Sequence, residues 1–209
     1  MTLSTGIRAV DRALGGGIPA GSLVVLTSPP DAQVGPLLHA GVHVRSSLYF
    51  TSIRTVAAVE NELDRLLTDP QIDDIRHVGT DGALVEILAG METMNDREDV
   101  IVNVFDPLEE TADSQSLVTF LNDFSKRLQE TEGIGIVHCL DGGEVPTNRK
   151  FTLSAADFVW RLRCRREGSE ITHELEIPKA SGLTLADEDR VLGLNLGQSV
   201  TVDTSRDIA

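Results

Sequence analysis

The chain has 209 residues, with 18 Lys and Arg against 33 Asp and Glu, a formal net charge of −15, and 41% hydrophobic but only 4% aromatic content. That length favours one domain with a full core. A charge of this sign and size argues against generic nucleic-acid or anionic-membrane binding, because both partners are polyanions that attract clustered Lys and Arg.

Only Lys126, Lys150 and Lys179 are lysines; the other basic residues are arginines. Few lysines and many carboxylates fit a salt-rich cytoplasm, where at about 1 M ionic strength the Debye length is about 3 Å and surface repulsion is screened. Cys139 and Cys164 lie within apolar runs, have neither disulfide-framework nor metal-ligand spacing, and read as core thiols. The N-terminus MTLSTGIRAVDR lacks a basic segment followed by an apolar one, and no stretch approaches the roughly 18 apolar residues of a membrane span. A soluble, cytoplasmic protein is expected.

Apolar runs bounded by turn residues alternate with helical periodicity over the first two thirds, the pattern of a mostly parallel sheet flanked by helices. Ser22 to Thr27 (SLVVLT) reads as a strand buried on both faces. A Pro-rich turn follows, then a helix predicted from about Val34 to Arg45. A strand at Leu48 to Thr51 leads to a helix carrying Val56, Val59, Leu63 and Leu66, which Thr55 can cap. A short strand is expected near Ile75 to Val78, a helix around Ala83 to Met91, and a strand over Val100 to Phe105, apolar apart from Asn103. Leu117, Leu121, Phe124 and Leu128 form the stripe of a helix that Asp113 or Ser114 can cap and Gly133 can end. Ile134 to Leu140 gives a fifth buried strand.

From Asp157 the hydrophobic period becomes two. Gly168-Ser169 predicts a hairpin turn between Phe158 to Glu167 and Glu170 to Ile177. In that register Arg163 faces Glu174 and Arg161 faces Glu176 on one side, while Leu162 meets Leu175 and Trp160 meets Ile177 on the other. The arginine row then reads as cross-strand ion pairs, each worth roughly 0.2–1 kcal/mol, with a ligand-binding stripe as the sharper alternative. A last pair of strands, Val191 to Leu196 and Ser199 to Asp203, turns at Gly197-Gln198.

The N-terminal segment carries the most specific signal. Ser4 to Leu38 reads STGIRAVDRALGGGIPAGSLVVLTSPPDAQVGPLL. It resembles the opening of KaiC-like and RadA-like ATPases of the RecA superfamily, at Thr5, Gly6, Ile7, Asp11, Leu14, Gly15 to Gly17, Ile18, Pro19, Gly21 and Ser22 without a gap. The resemblance continues to the closing VTVDTSRDIA, which is similar to the ends of haloarchaeal relatives. It implies an α/β, RecA-like P-loop NTPase fold: a mostly parallel central sheet flanked by helices with a C-terminal antiparallel β-hairpin extension, as a single KaiC-related domain over 1–209.

The loop that would hold phosphates departs from that pattern. A P-loop, G-x-x-x-x-G-K-[ST], uses glycines so that backbone N–H groups close on phosphates, Lys on the β- and γ-phosphates, and a hydroxyl on Mg²⁺. The aligned segment is Ser28, Pro29, Pro30, Asp31, Ala32, Gln33, Val34, Gly35. Val34 stands for the lysine and Gly35 for the hydroxyl, and Asp31 is expected to add a carboxylate where a triphosphate would sit. After the second strand, where the resemblance places a catalytic glutamate, stand Ile53 and Arg54. Asn103 occupies the Walker B position, a neutral amide in place of a hard-cation ligand, with Asp106 as the alternative. Lys179 matches a family lysine that can reach a neighbouring subunit's nucleotide, and Asp157 reads as a turn or cap residue.

No catalytic residue, metal site or cofactor is therefore expected, with ATP and Mg²⁺ as the alternative. The sequence favours a catalytically inactive RecA/KaiC-like pseudo-ATPase acting through protein contacts in a regulatory, scaffolding or signalling role. Its partner is unknown, with an active KaiC-like paralogue or a signalling protein as candidates and Lys179, Arg161, Arg163 and Arg165 as candidate interface residues. The alternatives are a nucleotide-binding KaiC-like switch with an atypical loop, and a DNA-repair accessory protein, which the shortage of basic residues disfavours.

Overall fold

The computed structural model describes residues 1–167, 170–196 and 200–202. A short antiparallel pair, β1 (Thr2–Leu3) and β2 (Ile18–Pro19), flanks α1 (Arg8–Ala13). The main sheet takes β3 (Leu23–Ser28), β4 (Ser47–Thr51), β5 (Ile72–His77), β6 (Asp99–Asn103), β7 (Gly135–Leu140), β8 (Phe158–Glu167), β9 (Glu170–Ala180), β10 (Val191–Leu196) and β11 (Val200–Val202). Their order is β11-β10-β9-β8-β3-β7-β6-β4-β5, parallel from β8 to β5 and antiparallel from β8 outward to β11. The mostly parallel body and the antiparallel C-terminal extension are as expected.

Helices cover both faces, which is why the inner strands read as unbroken apolar runs. On one face Val24, Leu26, Tyr49, Ile101 and Ile136 pack under α1, α2 (Gly35–Leu38) and α3 (Val56–Leu66). On the other, Leu23, Val25, Phe50, Val102 and Val137 pack under α4 (Ala83–Met91), α5 (Asp106–Thr111) and α6 (Ser114–Thr131), with α7 (Arg149–Ala155) alongside. Thr55 caps α3 through the Ala58 N–H, and Asp113 caps α6 through the N–H groups of Gln115 and Ser116. Among the described residues no helix is long and apolar enough to cross a membrane.

The family-like N-terminal string builds architecture at the start of β3. Asp11 accepts bonds from Ser4 Oγ (2.6 Å), Thr5 N (2.7 Å) and Thr5 Oγ1 (2.8 Å). Gly17 has φ +112 and lies where a Cβ would strike the Leu3 carbonyl, so only glycine permits the β1–β2 contact.

Several expectations are corrected. The helix predicted from Val34 to Arg45 is one turn, α2, followed by a 3-10 turn over Ala40–His43. His39 turns its ring inward to Tyr49 and Gly41 is a poor helix former, so the helix stops. Glu132, in the left-handed region at φ 56, ends α6; Gly133 is needed instead because a Cβ there would meet the Glu98 carbonyl. The register of β8 and β9 holds from Arg161↔Glu176 outward, but Ile177 and Pro178 together oppose Trp160, a bulge at a proline that has no N–H for the ladder. Trp160 therefore does not pair with Ile177. Cys139 is buried, but Cys164 is exposed, because β3 pairs with β8 only as far as Arg161 and the outer hairpin loses that cover. Both expected turns, Gly168-Ser169 and Gly197-Gln198, and the closing residues from Asp203 lie outside the described residues.

Candidate functional site at the C-terminal edge of the sheet

The segment after β3 holds its own backbone donors. Pro29, Pro30 and Pro36 have no N–H, the Ala32 N–H bonds the Pro29 carbonyl at 3.0 Å, and the Val34 N–H bonds the Ala32 carbonyl at 2.9 Å. A phosphate cradle needs such groups free and convergent. Beside the loop opens a cavity of about 580 Å³, lined by Gln33, Val34 and Gly35, by Ile53 and Arg54 after β4, and by Glu62 and Arg65 on α3.

Glu62 is the residue sequence reasoning missed. Arg54 forms an ion pair with it through Nη1 and also donates Nη2 to the Ala58 carbonyl at 3.0 Å. Glu62 Oε1 lies so close to Gly35 that a Cβ there would collide with it. The chain thus sets its own carboxylate against the loop. Asp31, expected to do this, is exposed, does not line the cavity and instead lies near Cys164, where its charge, after burial, raises the thiol.

Asn103 and His138 line the cavity and belong to a chain of hydrogen bonds across four strands. Ser28 and Asn103 end β3 and β6 on the face covered by α1, α2 and α3, His138 lies two residues before the end of β7 on that face, and Tyr49 stands beside them on β4. Asn103 Nδ2 donates to Tyr49 Oη at 2.8 Å, so its Oδ1 accepts from His138 Nδ1–H at 2.6 Å. His138 Nε2 then accepts the Ser28 hydroxyl at 2.9 Å. At the other end Tyr49 donates to His39 Nε2 at 3.3 Å, leaving His39 Nδ1 buried without a partner among the described residues. Burial lowers both histidines to about 4, helped at His39 by the charge of Arg54, and raises Tyr49 to about 12. The whole chain is neutral near pH 7, and from Ser28 to Tyr49 each group bonds its neighbour. Reading β3, β6 and β7 at period two was the available signal: it puts the three polar residues at one edge of one face.

The chain matches a family of unknown function, DUF7125, over residues 2–209. It belongs to that family. Among curated proteins none matches its sequence. Its backbone is similar to that of the KaiC-like protein PH0186 from the hyperthermophilic archaeon Pyrococcus horikoshii OT3, with a TM-score of 0.73 over 97% of this chain and 99% of that one, at 14% identity. At that identity the likeness speaks to fold, and the fold is KaiC-like.

The remaining sequence-predicted residues of this DUF7125 member are engaged elsewhere. Asp106 does not line the cavity; Oδ1 takes Arg149 Nη2 at 2.6 Å and Oδ2 takes the Leu140 N–H at 2.8 Å. Arg149, 5% exposed, also holds the buried Glu109 at 2.7 Å, tying α5 to α7. Lys179 donates to the carbonyls of Leu153 (3.3 Å) and Ser154 (2.9 Å), capping α7. Asp157 accepts the Leu23 N–H at 2.9 Å and joins β3 to β8. The hairpin arginines pair diagonally instead of directly across: Arg163 with Glu176 (3.4 Å) and Asp141 (3.3 Å), Arg165 with Glu174 (3.0 Å). Long guanidinium side chains lean along the strand and reach the diagonal neighbour. Arg161, beside Thr27 of β3, has no ion pair among the described residues.

Proposed function

We propose that this protein is a catalytically inactive, KaiC-like pseudo-ATPase that acts by binding another protein in a regulatory, scaffolding or signalling role, with an active KaiC-like paralogue or a signalling protein as candidate partners. The observation that carries this reading is the self-contained polar chain from Ser28 through His138 and Asn103 to Tyr49. A nucleotide site needs those strand-end groups for water and Mg²⁺, and here they bond one another.

The residues present do not fit Mg-nucleotide. The loop has no lysine, the N–H groups of Ala32 and Val34 bond within it and its prolines have none, Asn103 offers a spent neutral amide where a hard cation favours carboxylate oxygen, and the Glu62 carboxylate faces the loop. Glu62 is ion-paired with Arg54, so what it brings to the loop is a filled space beside Gly35 and a guanidinium already engaged.

The second reading, a nucleotide-binding switch, is favoured by the cavity itself and by Arg54 and Arg65 at its rim. Calorimetry with Mg-ATP in molar KCl separates the two. No heat of binding is expected; micromolar affinity overturns the pseudo-ATPase reading. A DNA-binding role has little support, since Arg163 and Arg165 are committed to carboxylates.

A further inference from the structure

The face of the sheet opposite the polar chain carries a second feature. Helix α4, ALVEILAGM, has one charged residue, Glu86, in a chain that is 24% charged. Ala83, Ile87 and Met91 face the sheet and are buried, yet Leu84 and Leu88 are only half-buried and Val85 is 72% exposed. A surface helix normally turns a polar face to water. Here the apolar side faces a groove of about 670 Å³ between α4 and the α5–α6 corner, floored by Leu108 and Phe120. The groove continues into a depression of about 370 Å³ that shares Leu88 and Asp123 with it.

The charge around the larger groove is of one sign. Among the described residues Asp81, Asp113 and Asp123 line it and no Lys or Arg does, while Lys126 and Arg127 line the adjoining depression together with Glu92 and Glu130. A second copy of this chain, at net charge −15, would bring mostly carboxylates to a carboxylate rim. A segment with an apolar stripe and a basic flank answers both the floor and the rim. The nine residues of α4 span about 14 Å, so the matching segment is a helix of roughly nine or ten residues.

Resting on the protein-binding reading above, we propose that the α4–α6 groove docks an amphipathic helix of a partner protein, its apolar residues at i, i+3, i+4 and i+7 against Leu84, Val85 and Leu88, and its Lys or Arg side chains against Asp81 and Asp123. In molar salt the charges act at contact range only, so the apolar contact supplies most of the affinity and the carboxylates choose the sign of the partner.

The probe is a fluorescein-labelled helical peptide with Leu at those four spacings and Lys elsewhere, beside a Glu-for-Lys counterpart, titrated by fluorescence anisotropy in molar KCl. The Lys peptide is expected to bind the full chain and the Glu peptide to bind at least tenfold more weakly. Val85→Glu, at an exposed position that leaves folding intact, is expected to weaken the Lys peptide at least tenfold, and Asp81→Lys with Asp123→Lys to reverse the preference between the peptides. Hydrogen exchange is expected to slow on α4 and the start of α6. Equal binding of both peptides, indifference to Val85→Glu, protection elsewhere, or no binding overturns the groove. Mg-ATP calorimetry on the same samples keeps the two readings apart: the groove fails alone if neither peptide nor nucleotide binds, and the pseudo-ATPase reading fails alone if nucleotide binds while the peptide pattern holds.

Discussion

Asn103→Asp restores the carboxylate that a magnesium site would want, and the polar chain says what it does instead. The amide is 9% exposed and spends Nδ2 on Tyr49 and Oδ1 on His138. A carboxylate has no N–H to donate, so the Tyr49 hydroxyl must turn to the new oxygen and desert His39 Nε2, on a ring whose Nδ1 is already unpartnered. An orphaned buried polar group costs about 1–3 kcal/mol, and burial of a negative charge beside a neutral histidine adds to it. A loss of about 2–4 kcal/mol at neutral pH is expected. Urea unfolding in molar KCl, followed by Trp160 fluorescence, reads that loss, and Mg-ATP calorimetry on the same variant is expected to stay silent. Tyr49→Phe breaks the same chain, so the double variant should cost less than the sum of the singles. An Asn103→Asp protein within about 0.5 kcal/mol of the parent, or one that gains nucleotide binding, refutes the view that this row is a closed structural network.

Val34→Lys with Gly35→Thr rebuilds the two missing loop residues, but the new Cβ at position 35 meets Glu62. Glu62 meets the new Cβ with the end of a flexible side chain, so the pair should lose only about 1 kcal/mol, the low end of overpacking, and bind no Mg-ATP, and Glu62→Ala should return part of that stability; micromolar binding by the pair alone would exonerate Glu62. Both buried histidines are held near 4 against an ordinary value of 6.5, so below pH 6.5 the unfolded chain takes up protons that the folded one refuses. Their contribution to stability is complete above about pH 6.5 and falls as pH drops toward about 4, at most about 3 kcal/mol for each. Denaturation midpoints from neutral to mildly acidic pH should therefore fall less steeply in His138→Gln, and equal slopes would contradict the assignment. Arg149→Met leaves Asp106 and the buried Glu109 facing each other without their cation, and a loss of about 3–5 kcal/mol should appear as a lower urea midpoint; an unchanged midpoint would mean that the cluster carries no weight.

Local pattern in the sequence determined most of the fold. Continuous apolar runs located the inner strands within a few residues, Thr55 and Asp113 marked their helices, and in the STGIRAVDRALGGGIP string Asp11 and Gly17 act locally, one tying Ser4 and Thr5 and the other admitting the Leu3 carbonyl. The alternation after Asp157 set the outer register of β8 and β9 correctly, and failed at Trp160, where a bulge depends on Pro178 meeting a partner strand. The short helices α1, α5 and α7 were not legible, since six or seven residues carry too little periodicity and these segments are held by contacts such as Arg149 with Glu109.

The site divides in the same way. That the loop lacks lysine and hydroxyl, and that Asn103 is the one polar residue in an apolar run read as Val100 to Phe105, stood in the sequence; the strand itself ends at Asn103. What took their place did not. Ser28 and His138 are 110 residues apart, His138 and Asn103 are 35 apart, and Glu62 reaches Gly35 from another helix. Strand order, β3 beside β7 beside β6, brings these groups together, and a chain that crosses over through helices does not write that order into any local window. The missing lysine was a matter of sequence; the closed polar row and the intruding carboxylate were decided by which strands became neighbours.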